Sequence, residues 1–136
     1  MKLPTYDSLL LDIDQHVATI TLNRPDKRNA FNDDVIQELT EVFQFCAAQD
    51  EVRVVVLTAN GKAFCAGADL NWMRAMADYS HEENLADAGK LAQMLATIYH
   101  CPKPTVAAIQ GDVYAGGMGL VAACDIAISV KNANFC

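Results

Sequence analysis

Two glycine-containing segments about fifty residues apart carry the residue types that could polarise a carbonyl group. The first is Phe64-Cys65-Ala66-Gly67-Ala68-Asp69, and the second is Gly111-Asp112-Val113-Tyr114-Ala115-Gly116-Gly117-Met118-Gly119. Each follows an apolar run of strand character and precedes a segment of helical character. A helix start presents backbone N–H groups that have no partner within the helix. Two such starts facing one another would aim two N–H donors at one oxygen, the arrangement of an oxyanion hole. Gly67 would let the backbone approach a ligand with no Cβ in the way, leaving the Ala68 N–H to point outward. Taken singly, each segment also reads as a tight strand-to-helix turn with nothing bound.

Two nucleotide motifs compete for the second segment. Gly111 to Gly116 has the four-residue gap of a P-loop, but Gly117-Met118 stand where Lys and Ser or Thr would grasp a phosphate. Gly117-Met118-Gly119-Leu120-Val121-Ala122 fits the GxGxxA form of a dinucleotide fingerprint. Its strand ends well before Gly117, and the acidic partner expected about 20 residues on would fall past residue 136. A nicotinamide oxidoreductase is therefore the weaker reading.

The elements that must position these segments follow from periodicity. Leu9 to Ile13 predicts a strand and His16 to Leu22 a second, with a hairpin at Asp14-Gln15. Asn23 to Asn29 is a polar loop holding the chain's tight basic cluster, Arg24, Lys27 and Arg28. Asn32 caps a helix with Asp33 and Asp34 in its first turn, favourable against the helix dipole. Val35, Leu39, Val42, Phe43 and Cys46 fall on one stripe of that helix. Val52 to Thr58 is nearly continuous in apolar residues, which predicts a strand buried on both faces. Ser80 and Glu83 have capping-box spacing before a long helix with the apolar face Leu85, Ala88, Leu91, Ala92, Leu95 and Ile98, ended by Pro102 and Pro104. Thr105 to Ile109 is a strand, Leu120 to Cys124 a short helix and 125–130 a last strand. The order ββαβαβαβ predicts α/β layering with parallel pairs. Nothing follows that could cover the last strand, so 1–136 reads as one piece of a larger domain.

The bulk numbers exclude several classes. An apolar content of 52% in 136 residues supplies one core and argues against disorder. A net charge of −7 argues against general binding to nucleic acid or a membrane surface. The five cysteines form no CxxC pair, so neither a metal site nor a disulfide framework is indicated, and reduced cysteines in a cytoplasmic protein are expected. No apolar run approaches the roughly 18 residues of a membrane span, and the N-terminus has no signal pattern.

Taken together, the segments resemble a known family. Thr21-Leu22-Asn23-Arg24-Pro25, Asn29-Ala30-Phe31-Asn32, Val54 to Thr58, Phe64 to Asp69, Lys103 to Gly111, Gly116 to Leu120 and Cys124-Asp125-Ile126 are similar to the N-terminal half of an enoyl-CoA hydratase of the crotonase superfamily. The resemblance covers essentially all 136 residues. It implies an α/β fold of the crotonase type, a repeated ββα spiral of which this chain is the N-terminal half. Ala68 to Met73 and Tyr114 to Leu120 look most like bacterial 3-methylglutaconyl-CoA hydratases of leucine and isoprenoid catabolism. The implied activity is a lyase adding water to an α,β-unsaturated acyl-CoA, with the thioester oxygen held by the N–H groups of Ala68 and Gly116. Lys27, Arg28, Ala30, Ala66, Asp69, Leu70 and Gly117 would border the coenzyme A moiety, which is part of the substrate, so no separate cofactor is implied. Trp72, Met73 and Met76 would line the acyl group or belong to the core. Assembly as a homotrimer or a dimer of trimers is also implied.

The chain departs from the family at one telling place. The first of two expected glutamates falls at Gly119, and the second would lie beyond residue 136. This chain alone is therefore expected to be inactive. The alternatives are another reaction of the superfamily, such as isomerisation, or a non-catalytic fragment that binds coenzyme A or only oligomerises.

Overall fold

A computed structural model describes residues 2–136. Strands β1 (Leu9–Asp14) and β2 (Val17–Leu22) form an antiparallel hairpin in which Leu9 faces Leu22 and Asp14 faces Val17. The turn lies one residue beyond the predicted Asp14-Gln15: its residues Gln15 (φ 49°) and His16 (φ 67°) are both left-handed, as a two-residue hairpin matched to strand twist requires. Helix α1 (Asp33–Ala48) follows, and the Asn32 side chain accepts the Val35 N–H at 3.0 Å. The predicted stripe is all buried, joined by Ile36 and Thr40.

Strand β3 (Val54–Ala59) then lies parallel to β2. A short strand β4 (Ala63–Cys65), helix α2 (Leu70–Met76) and helix α3 (His81–Tyr99) lead to β5 (Thr105–Ile109), which is parallel to β3. The two-residue strand β6 (Asp112–Val113), helix α4 (Gly117–Ala123) and strand β7 (Ile126–Ser129) complete the order. The main sheet is five-stranded, β1-β2-β3-β5-β7, and parallel except at β1. β4 and β6 pair in parallel as a second sheet. That small sheet is missing from the sequence-based order because segments of three and two residues show no period.

One face of the main sheet is buried with the inner faces of α1, α3 and α4 in a single cluster that includes Ile20, Leu57, Phe43, Ile98 and Leu120. Two expectations need correction here. β3 is buried on one face only: Val55, Leu57 and Ala59 are inside, while Val54, Val56 and Thr58 are half-covered. The α3 capping box forms as predicted, but of the predicted apolar face only Ile98 is buried, together with Met94, which that face did not include. Leu85 is 59% exposed, because the first half of α3 runs clear of the sheet cluster that covers its second half. Lys103 closes the far end of α1, its Nζ donating to the carbonyls of Cys46 (2.9 Å) and Gln49. No helix among the described residues is long and apolar enough to cross a membrane.

Candidate active site

The site is built from three loops that meet at the ends of β2, β4 and β6. In the first, Pro25–Lys27 makes a single 3₁₀ turn, and Arg28 (φ 51°) and Asn29 (φ 57°) are left-handed. Asn29 is buried and fully paired. Its Oδ1 accepts the Arg24 N–H at 2.8 Å, and its Nδ2 donates to the carbonyls of Asn60 (2.8 Å) and Ala63 (3.0 Å). A buried amide with its polar atoms satisfied fixes the loop that carries Lys27 and Arg28.

The second loop leaves β4 through Gly67, whose φ of 89° favours glycine. Phe31 N–H donates to the Gly67 carbonyl and Asp69 N–H to the Phe31 carbonyl, both at 2.8 Å. Ala68 sits between these bonds, opposite Phe31 in a parallel bridge. A residue so placed turns its own N–H away from the partner strand. Asp69 then caps α2: its Oδ1 accepts the N–H groups of Asn71 (2.8 Å) and Trp72 (3.1 Å), and its Oδ2 lies 3.4 Å from Arg24 Nη2.

The third loop leaves β6, where Tyr114 N–H donates to Cys65 O at 3.0 Å and Gly117 N–H to Tyr114 O at 2.9 Å. Ala115 is left-handed (φ 48°), and Gly116 opens α4. The second and third loops touch through their glycines. A methyl on Gly67 would stand 3.1 Å from Tyr114 O and 3.3 Å from Gly116 N, and one on Gly117 would stand 2.8 Å from Cys65 O. Among the described residues, neither the Ala68 nor the Gly116 N–H donates to a protein acceptor.

A cavity of about 500 Å³ opens beside the second loop, lined by Lys27, Arg28, Ala30, Ala66, Ala68, Asp69 and Leu70. Seven of the nine residues marked from sequence thus share one lining. Gly116 is exposed and Gly117 is buried against Cys65, and neither lines this cavity. Sequence reasoning missed Asn71 and Arg74, which also line it. Their signal was present: α2 begins at Leu70, and Arg74 lies four residues beyond Leu70 and three beyond Asn71, the spacings of neighbours on one helix surface. The cavity thereby has three cationic side chains, Lys27, Arg28 and Arg74, against the carboxylates Asp26 and Asp69. A larger cleft of about 730 Å³ has four carboxylates in its lining, Asp7, Asp34, Glu38 and Glu41, against the one cation Arg24, a poor host for an anion.

Burial pushes the Asp69 carboxyl up, but the two capping N–H groups and Arg24 together outweigh it and hold the group below its ordinary value. Burial drives the Cys65 thiol up to about 11 against the opposing Gly67 N–H, so it is no nucleophile at neutral pH. Tyr114 Oη donates to Asp112 Oδ2 at 2.9 Å, which raises the phenol. Asp112 is lowered chiefly by the Asn134 N–H, 2.8 Å from its Oδ1. Trp72 is buried in the core, Met73 is 47% exposed and Met76 is half-buried. Gly119 lies on α4 with Leu95 methyl carbons 3.4 and 3.6 Å from where its Cβ would stand. No carboxylate occupies that turn.

The pattern of the enoyl-CoA hydratase/isomerase family matches residues 12–136. An enoyl-CoA hydratase of Alternaria alternata, AKT6-1, is 39% identical over 117 residues, covering 86% of this chain and 37% of that protein. The mitochondrial Delta(3,5)-Delta(2,4)-dienoyl-CoA isomerase of Mus musculus is 37% identical over 142 aligned positions, covering 96% of this chain and 42% of that one. A crystal structure of an enoyl-CoA hydratase from Shewanella pealeana superposes with a TM-score of 0.93 at 41% identity, over 96% of this chain and 49% of that one. The chain thus spans about half the length, or less, of the relatives it matches. With the fold and the matched sequence in agreement, the chain belongs to the enoyl-CoA hydratase/isomerase family of the crotonase superfamily.

Proposed function

We propose that this chain is the N-terminal half of a crotonase-type lyase and supplies the oxyanion donors and part of the coenzyme A pocket for hydration of an α,β-unsaturated acyl-CoA. The observation that carries this reading is the pair of N–H groups without protein acceptors on two touching glycine turns, beside a cavity with cationic walls. The thioester oxygen would accept from Ala68 and Gly116. As water adds at the β-carbon, negative charge moves onto that oxygen, and fixed donors favour the enolate over the ground state. Removing one such donor costs about 2.7–4 kcal/mol in comparable sites. Lys27, Arg28 and Arg74 would meet coenzyme A phosphates, with Ala30, Ala66, Leu70 and the covered Gly117 shaping the wall behind. Asp69, held by its cap and ion pair, would border the coenzyme A moiety from the same lining. The 3-methylglutaconyl group is the acyl group we propose, on the likeness of segments 68–73 and 114–120, and a trimeric assembly is proposed for the complete protein.

A second reading is isomerisation, favoured by the absence of a side chain at Gly119 and by the similarity to the mouse dienoyl-CoA isomerase. One experiment separates the readings. The full-length protein is offered a panel of 2-enoyl and dienoyl thioesters of coenzyme A, and products are resolved by mass. Gain of water supports hydration, and a moved double bond at constant mass supports isomerisation. Gly116→Pro, which deletes one donor, should abolish either. A full rate in that variant would sink the oxyanion assignment. The 136-residue chain alone should turn over nothing above a buffer blank.

A further inference from the structure

Phe31 touches both donors, and in two different ways. Its backbone holds the first: the bonds Phe31 N–H to Gly67 O and Asp69 N–H to Phe31 O, each 2.8 Å, flank Ala68 and fix the direction of its N–H. Its ring braces the second: a methyl built on Gly116 would stand 2.9 Å from Phe31 Cζ and 3.6 Å from Cε1. The ring has little freedom to retreat. Phe31 is 2% exposed, and its ring meets the buried indole of Trp72 edge-on, with centroids 6.5 Å apart and planes at 63°. A ring swing away from Gly116 would have to displace that indole from a packed core.

We infer that Phe31 is a positioning residue that sets the separation of the Ala68 and Gly116 donors, by its main chain on one side and its ring tip on the other. The inference rests on the oxyanion reading of those two N–H groups. It deepens that reading by naming the part that fixes the gap. Donor placement matters at this scale because an error of about 1 Å in a catalytic arrangement can cost about 100-fold in rate. Shortening the side chain leaves the main-chain bonds to Gly67 and Asp69 in place and removes the stop on Gly116 together with the edge contact to Trp72. The loss should therefore fall on the transition state more than on substrate binding.

The test uses the full-length protein and a chromophoric dienoyl thioester of coenzyme A, whose absorption moves to longer wavelength as its carbonyl is polarised. Wild type should shift the band. Phe31→Leu should shift it less at saturating protein and lower kcat about 10-fold, with KM changed less than about twofold. Gly116→Ala drives a methyl against the ring tip and should lose both signals. The double variant Phe31→Leu/Gly116→Ala gives that methyl room and should recover at least part of what Gly116→Ala alone lost. A general packing defect would instead make the two losses multiply. Should Phe31→Leu not fold, Phe31→Tyr adds an oxygen at Cζ, against Gly116, and the same fall in band shift and kcat is expected. A wild-type band shift and kcat in whichever Phe31 variant folds, or losses that multiply in the double variant, would overturn the inference. A wild type that binds the thioester with no band shift would remove the oxyanion reading itself.

Discussion

The same substitution, glycine to alanine, should have opposite signs at two positions of this chain. At Gly67 the backbone has φ 89°, and a methyl would stand 3.1 Å from Tyr114 O, 3.3 Å from Ala115 Cβ and 3.3 Å from Gly116 N. Left-handed backbone costs a non-glycine residue about 1–2 kcal/mol. The methyl is also wedged against main chain, which cannot swing away as a side-chain tip can, so a total of about 2–3 kcal/mol is expected. At Gly89, in the middle of α3, nothing lies within 4 Å of the added methyl. There alanine gains helix propensity, and about 0.8–1 kcal/mol of added stability is expected. The assay is urea unfolding followed by Trp72 fluorescence, Trp72 being the single tryptophan of the chain. With a slope of about 1–3 kcal/mol per molar urea, Gly67→Ala should lower the midpoint by roughly 1 M and Gly89→Ala should raise it by a few tenths. In the full-length protein, Gly67→Ala should in addition cut turnover about 10²–10³-fold, since it parts the two donors. Equal effects at the two positions would refute the claim that the two glycine turns touch at Gly67. So would a Gly67→Ala protein of wild-type stability.

Three further outcomes follow from individual bonds. Asn32→Ala removes the acceptor of the Val35 N–H and should cost about 1 kcal/mol by urea unfolding, whereas Asn32→Asp should be close to neutral. Asp69 titrates lower in the folded chain than its ordinary 3.8, so its stabilising contribution is present above that value and is lost as the pH falls through the lower, folded one. Asp69→Asn should therefore lower stability at neutral pH and flatten the acid limb of the stability–pH curve, which pH-dependent unfolding would read. The exposed Cys136 should be alkylated first at pH 8 and the half-buried Cys124, pushed up to about 11 chiefly by burial, more slowly, while the buried Cys46 and Cys65, also pushed up to about 11, should react only as the chain opens; peptide mass mapping over time would show the order.

The parts of the fold that were legible in sequence are those written in local chemistry. The Asn32 cap, the Ser80–Glu83 box and the α1 stripe each depend on residues within a few positions of one another, and each forms. What was hidden depends on partners distant in sequence. Val52 to Thr58 reads as buried on both faces because composition shows how apolar a strand is and not which side a helix covers. The β4–β6 sheet joins residues about fifty positions apart through strands too short to show a period. At the site, the glycines marked the two turns, yet Phe31 and Arg24, which hold the turns in place, look like an ordinary apolar residue and an ordinary loop cation. Their roles appear only when Gly116 is found against the Phe31 ring and Asp69 against Arg24.

A site made of backbone donors has a consequence for its pH dependence. N–H groups do not titrate in the working range, so the hole stabilises an enolate equally well at any pH at which the fold stands. The groups around it with resolved shifts are already committed. Asp69 is a cap and an ion-pair partner held low, Cys65 is a buried thiol raised to about 11, and the raised Tyr114 phenol donates to Asp112. Gly119 contributes no carboxylate where a proton-transfer group was expected from the family resemblance. The acid–base limbs of any reaction run by the complete protein should therefore belong to a residue outside these segments. Substitution within them, Phe31→Leu for instance, should lower the plateau of a rate–pH profile and leave its midpoints in place. A midpoint that moved with Phe31→Leu would mean that the donors and the proton-transfer group are coupled, and that the hole does more than hold charge.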